Sequence, residues 1–324
     1  MVSILMPVYN AAPYLEECLS SIASQTLQDW ELIAVDDHSS DDSRAILDAH
    51  APFDDRIHVI ENSGKGIIEA LRTAYAQSQG ECITRMDADD IMMPHKLEQL
   101  HLLCAEGTIV TGKVEYFRSD GPLGDGYRKY ADWLNGLVDT ERHWKEIYKE
   151  CVIPSPAWMM TRDTLDVIGA FDADRYPEDY DLIFRAYQAG LEVSTTDKII
   201  HRWRDHGTRA SRNDPNYADN RFLEMKLKYF LAVDRQRDQK LILWGAGAKG
   251  KILARQLNER GIDFEWISDN PRKQQAPIYG HNIQPSDRTL HNSQCIIAVA
   301  SSSGQEEIAE RLSQCSGVET FWFC

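Results

Sequence analysis

The 324-residue sequence predicts an α/β protein: a mixed sheet flanked by helices over about residues 1–212, and a small second α/β unit over 239–324. Three observations carry that prediction. Short apolar runs alternate with helical periodicities through the first hundred residues. Acidic clusters stand where those runs end. After residue 240 a strand, a glycine-rich turn, a helix and another strand follow in register.

Residues 3–8 form a continuous apolar run, as a strand buried on both faces should. Asn10 suits an N-cap and Pro13 a first helical turn, and Leu15, Cys18, Leu19 and Ile22 then share one helix face. Strands are expected at 31–35, 56–60 and 81–86, and helices at 43–50, 67–77 (with Ile67, Ile68, Leu71 and Tyr75 inward) and 94–105. Alternation of this kind implies parallel strands covered by helices, with ligands beyond their carboxyl ends. A strand at 108–117 precedes a glycine-rich loop over 120–127 and an aromatic stretch with Tyr130, Trp133, Trp144 and Tyr148. Helices at 162–168 and 179–189 bracket the next segment, and a strand follows at 192–200. An amphipathic helix over about 216–235 places Phe222, Met225, Tyr229 and Val233 on one stripe. It forms, with the polar run 234–240, a linker over 213–238.

A net charge of −16 argues against nucleic acid or an anionic membrane as the main partner, because such surfaces select clustered Lys and Arg. No run approaches the roughly 18 apolar residues of a membrane span. The opening residues lack the charged n-region and the small-residue cleavage site of a secretory signal, which makes such a signal unexpected. The seven cysteines are scattered, without a C-x-x-C pair, which predicts reduced structural thiols and a cytoplasmic protein.

Three acidic clusters carry the chemistry. Asp87 and Asp89 flank one small residue at a strand end. A capped turn accounts for such a pair, with Asp90 capping the next helix; so does a hard divalent cation, Mn²⁺ or Mg²⁺, that bridges carboxylates to diphosphate oxygens. Asp37, also at a strand end, can accept a hydrogen bond from a nucleotide base, whereas Asp41, Asp42 and Ser43 read as helix caps. Glu178, Asp179 and Asp181 at a helix start exceed what the helix dipole requires. A carboxylate held there is expected to stay ionised and to serve as a general base toward a hydroxyl.

Together these segments resemble glycosyltransferase family 2, the inverting GT-A enzymes. The matching stretches are residues 3–10 (Ser-Ile-Leu-Met-Pro-Val-Tyr-Asn), Gln25-Thr26, 35–41 (Val-Asp-Asp-His-Ser-Ser-Asp), 85–90 (Arg-Met-Asp-Ala-Asp-Asp), 169–172 (Gly-Ala-Phe-Asp) and 178–182 (Glu-Asp-Tyr-Asp-Leu). The resemblance implies a GT-A fold and a nucleotide-diphosphate sugar bound with a divalent ion. It places Pro7 and Tyr9 at the nucleotide, Asp37 on the base, Asp87 by the ribose or the metal, and Asp89 on the metal. Asp179 becomes the general base, with Glu178 and Asp181 as alternatives. Arg85 is a diphosphate contact or a strand-end ion pair, and Lys65 approaches the phosphates or is solvated. The segment 201–209 is similar to one that closes this site in relatives. There His206 assists the metal or diphosphate, and Arg202, Arg209 or Arg212 offsets leaving-group charge. Ser155 stands where many relatives place a histidine. Trp133, Trp158 and Tyr176 are candidates to stack on acceptor sugars. The implied acceptor is an oligosaccharide or lipid-linked hydroxyl of envelope polysaccharide synthesis, which leaves peripheral contact with the inner face of a membrane open.

In the second unit, Gly245, Gly247 and Gly250 follow a strand, and Asp269 ends the next one about 20 residues on. The unit resembles the first half of a Rossmann domain. A bound nucleotide, docking or homo-oligomerisation, and a second activity are its three readings. A Rossmann oxidoreductase and a non-catalytic nucleotide-sugar module are the competing functions for the whole chain. The oxidoreductase leaves the three acidic clusters unexplained.

Overall fold

A computed structural model describes every residue except 120, 208, 210–221 and 288. The chain divides into two compact units, Met1–Trp144 with Val152–Asn213, and Lys145–Cys151 with Asp214–Cys324. No helix among the described residues is long and apolar enough to cross a membrane.

The first unit holds β1 (Val2–Val8), α1 (Ala12–Ala23), β2 (Trp30–Asp36), α2 (Ser43–His50), β3 (Ile57–Glu61), α3 (Ile67–Gln77) and β4 (Cys82–Arg85). Next come β5 (Ile91–Met92), α4 (Lys96–Leu103), β6 (Thr108–Phe117), α5 (Asp125–Thr140) and α6 (His143–Glu146), of which Lys145 and Glu146 fall in the second unit. The run ends with β7 (Trp158–Thr161), α7 (Arg162–Val167), α8 (Glu178–Gln188) and β8 (Glu192–Arg204). Its sheet is mixed, in the order β3-β2-β1-β4-β7-β6-β8-β5. The first four strands are parallel, as the alternation predicts. β7 then runs antiparallel to β4 and β6. β1 and β2 are buried almost throughout, which accounts for their unbroken apolar runs.

Several local expectations are corrected. Asn10 does not cap α1; its φ of 49° puts it in the left-handed region that Asn tolerates. The open N–H groups of Ala11 and Ala12 are met instead by Ser43 Oγ at 2.8 Å and Asp41 Oδ2 at 3.0 Å, so one loop serves two helix starts. α4 begins at Lys96 and is not capped by Asp90. Gln25 secures its start, accepting from Leu97 N at 3.0 Å and donating to Met93 O at 2.7 Å. The loop expected over 120–127 already turns into α5 at Asp125.

The second unit has α9 (Phe222–Tyr229), a π-helical turn (Phe230–Asp234), β9 (Lys240–Trp244), α10 (Ala248–Glu259) and β10 (Glu265–Ser268). β11 (Gln284–Pro285), β12 (His291–Ile297), α11 (Ser302–Ser313) and β13 (Ser316–Trp322) complete it. The start of the helix expected from 216 lies outside the described residues, and Val233 is exposed rather than on the buried stripe. All five strands are parallel, in the order β11-β10-β9-β12-β13. Lys145–Cys151, from the middle of the chain, belongs to this unit: Tyr148 stacks on Phe323 at 5.2 Å and meets Phe230 and Phe321 edge-on.

Candidate functional site

The parallel register of β1, β2 and β4 brings their carboxyl ends to one edge, and the acidic clusters follow. Asp37 N donates to Val8 O at 2.7 Å. The Asp37 carboxylate accepts from Gly66 N at 2.9 Å and Asn62 Nδ2 at 2.6 Å, so it tethers the loop that carries Lys65. Gly66 has a φ of 92°, a conformation that a side chain resists. Tyr9 is 63% exposed beside this edge, Pro7 is half-buried and Lys65 is exposed. A planar ring and an ammonium therefore stand at solvent beside this edge.

The loop after β4 is tied to α8 by one guanidinium. Arg85 donates through Nε to Asp87 Oδ1 at 3.1 Å and through Nη1 to Glu178 Oε1 at 2.9 Å, with all three side chains withdrawn from solvent. Burial raises the pKa of Asp87 above its ordinary value despite Arg85. Asp89 behaves oppositely. Burial would raise it, but the hydrogen bond to His206 Nε2 at 2.8 Å and the Arg209 charge hold it low. The Tyr14 ring lies on that imidazole, 4.5 Å between centroids. Asp90 is fully buried and belongs to the scaffold, accepting from Arg204 N at 2.7 Å and facing His201 Nε2 at 2.9 Å.

At the start of α8 the three acids separate. Both oxygens of Asp181 are held by arginines, one by Arg175 and one by Arg185 Nε at 2.9 Å. Glu178 is taken by Arg85. Asp179 is the least engaged, half-buried, with Oδ1 accepting from Tyr180 N at 2.7 Å. The expectation that the helix start keeps it ionised is corrected: burial, then the neighbouring Glu178 charge, push it up to about 7.

Cations surround these acids unevenly. Arg209 is buried, donates to Arg204 O at 3.2 Å, lies 4.6 Å over the Trp203 ring, and interacts electrostatically with Asp90, Asp89 and Asp87. Arg202 turns to Glu115 at 2.8 Å, and Arg212 lies outside the described residues. Sequence reasoning missed Lys96. It is wholly buried, donates to Pro156 O at 2.5 Å, and is lowered to about 7 by burial against the opposing pull of Asp87 and Asp90. It also missed Arg204, which donates to Asp89 O at 2.7 Å and Glu17 at 2.5 Å. Nothing in helical spacing marks either residue, because their partners lie on other elements.

Among the described residues no three His, Cys, Asp or Glu side chains converge to hold a metal by themselves. Asp89 and His206 offer one oxygen and one nitrogen donor. A hard cation fits there only with further oxygens from a diphosphate and water. Ser155 is buried, and its hydroxyl has no hydrogen-bond partner among the described residues. Trp158 is buried, which removes it as a stacking surface; Trp133 and Tyr176 remain half-buried, and a Cβ at Gly66 would lie 3.4 Å from the Tyr176 hydroxyl.

In the second unit Gly245 has a φ of 116°, and a Cβ at Gly250 would lie 2.0 Å from Gly245 O, so both positions require glycine for backbone reasons. Gly247 precedes α10. Asp269 is engaged within the unit, by Trp244 Nε1 at 2.7 Å, Arg311 Nη1 at 2.7 Å and the Ser286 hydroxyl. A cleft of about 650 Å³ lies instead at the amino ends of β9 and β10, lined among others by Arg235, Lys240, Phe264 and His281.

A family model described as Glycosyl transferase family 2 matches residues 3–181. The glycosyltransferase GlyG of Streptococcus pneumoniae is 35% identical over 125 residues, 37% of this chain and 42% of GlyG, so the match spans less than half of that relative. Staphylococcus aureus TarS, solved with UDP-GlcNAc, superposes with a TM-score of 0.55 at 17% identity over 80% of this chain and 72% of that one. A mannosyltransferase from Pyrobaculum calidifontis, solved with GDP-Man and Mn²⁺, gives 0.51 at 21% identity over 72% and 64%. These structural likenesses are of fold, and the fold is GT-A.

Proposed function

The chain belongs to glycosyltransferase family 2, and from that premise we propose an inverting, ion-assisted transfer from a nucleotide-diphosphate sugar to a hydroxyl of a glycan or lipid-linked acceptor. The observation that carries this reading is the Arg85 bridge, which holds the loop of Asp87 and Asp89 against the start of α8. Donor handling and proton removal thereby fall to adjacent elements. Environment also separates two carboxylates, Asp89 low and Asp179 at about 7, as acid–base assignments require.

In the proposed reaction Tyr9 and Asp37 receive the base, and Lys65 and Arg209 face the phosphates. Asp179 accepts the acceptor's hydroxyl proton as the new C–O bond forms at the anomeric carbon and the bond to the diphosphate breaks. Asp89 and His206 would hold a Mn²⁺ or Mg²⁺ ion, which when bound neutralises charge on the departing diphosphate. Glu178 and Asp181 are positioning groups, since their oxygens are committed to arginines. The metal-bound mannosyltransferase of the same fold supports the ion requirement. For the second unit we favour docking over dinucleotide binding, because Asp269 is already engaged.

The test is a thermal-shift panel of UDP- and GDP-sugars with and without Mn²⁺, on wild type and Asp89→Ala. An ion-dependent shift that the substitution abolishes supports the assignment. Equal shifts in both proteins would reject it.

A further inference from the structure

Cys82 opens β4, and Cys104 follows the last turn of α4, three residues after His101. That spacing puts His101 and Cys104 on the same side of the helix end, and both meet Cys82. Cys82 Sγ lies 3.5 Å from His101 Nδ1, and the Cys104 thiol interacts with the Cys82 sulfur. Cys82 itself is buried, but Cys104 is half-buried and His101 is exposed, so solvent reaches this cluster from the α4 side. None of the three contributes to the donor or base geometry.

We propose that Cys82 and Cys104 are a peroxide-reactive dithiol that closes to a reversible disulfide between β4 and the end of α4. The Cys82 sulfur attacks one peroxide oxygen and the O–O bond breaks. Hydroxide leaves and takes a proton to become water, and Cys82 is oxidised to a sulfenic acid. The Cys104 sulfur then attacks Cys82, and its proton leaves with the sulfenic hydroxyl as a second water. Two thiols and one peroxide give one disulfide and two waters, the peroxide being the oxidant.

The electrostatics agree with this order. The interaction with Cys104, outweighing burial, and the His101 ring hold the Cys82 thiol down at about 6. Burial instead raises Cys18, Cys295 and Cys324, and Cys104 is raised by its interaction with Cys82 and by burial. The loop that the bond would close, from 82 to 104, carries Asp87, Asp89 and Lys96.

Folded wild-type protein treated with hydrogen peroxide near neutral pH, then quenched with maleimide, gives the reading by intact mass and peptide mapping. The expected product has lost two hydrogens, joins the peptides of Cys82 and Cys104, and reverts with dithiothreitol. In Cys104→Ser a dimedone adduct is expected on Cys82, and His101→Gln is expected to slow oxidation about threefold or more. Both thiols remaining open to maleimide while other cysteines oxidise would overturn the proposal, as would dimedone on a residue other than Cys82.

Discussion

Arg85 donates to Glu178 at 2.9 Å across 93 residues of sequence, and both side chains are buried. The pair is one half of a bridge whose other half is Asp87. A carboxylate left in that interior without its guanidinium has no solvent to replace it.

Arg85→Ala is therefore expected to cost about 3–5 kcal/mol of stability, the range for stranding a buried partner. Arg85→Lys should recover only part of this, because an ammonium cannot reach two carboxylates in a fixed fork. Urea denaturation of the three proteins measures it. A loss under 1 kcal/mol in the alanine variant would mean that the bridge is not maintained.

Asp179 gives a prediction about pH. Its pKa is raised to about 7, so the base form grows as pH rises through that value. kcat/KM should climb between about pH 6 and 8 and then level off. Asp179→Asn should retain donor binding and lose transfer by about 10²-fold or more. For stability the sign reverses. A carboxyl raised in the fold contributes stability that is fully present below its ordinary value of 3.8 and is lost as pH rises from there through about 7. The asparagine variant should thus gain on wild type at pH 8 and not at about pH 3. A flat rate profile would remove Asp179 from the base role.

How far the sequence could foretell this site depended on where each partner lies. Asp37, Asp87 and Asp89 were legible because strand periodicity ends just before them, and strand ends in an α/β sheet are where ligands sit. Asp90 and Asp181 carry the same chemistry in the same clusters, yet one is spent on His201 and Arg204 N and the other on Arg175 and Arg185. Those partners are set by tertiary packing, which no local pattern encodes. The helix from Asp125 was obscured by glycines at 121, 124 and 126. Asn10 was misread because its cap role passed to Asp41 and Ser43, about thirty residues away.

The pairing of Asp89 with His206 predicts how metal and donor affinities change together. Removing either side chain should weaken Mn²⁺-dependent donor binding by about 10-fold or more, the scale on which ligand loss acts. Tyr14→Ala, which removes the ring packed on His206 at 4.5 Å, should give a smaller loss, and Tyr14→Phe nearly none. Titration calorimetry with a nucleotide-diphosphate sugar, with Mn²⁺ and then with excess chelator, separates these effects. Donor affinity indifferent to both chelator and His206→Ala would contradict the ion's place at this pair.

Tyr148 tests the unexpected membership of Lys145–Cys151 in the second unit. Its ring is buried against Phe230, Phe321 and Phe323, and its hydroxyl donates to Asp234 at 2.5 Å. Deleting that ring leaves a cavity that the parallel sheet cannot refill, so Tyr148→Ala should cost about 3–5 kcal/mol. Tyr148→Phe keeps the packing and forfeits only the hydroxyl bond, about 1–2 kcal/mol. The losses should appear as faster amide exchange in β12 and β13 rather than in β1 or β2. Ending the chain after residue 213 removes every aromatic partner of Tyr148 in its unit, so such a protein should need Tyr148 and its apolar neighbour Ile147 made polar before it stays in solution. If the truncated chain is monodisperse without those changes, Tyr148 does not depend on the second sheet for its burial.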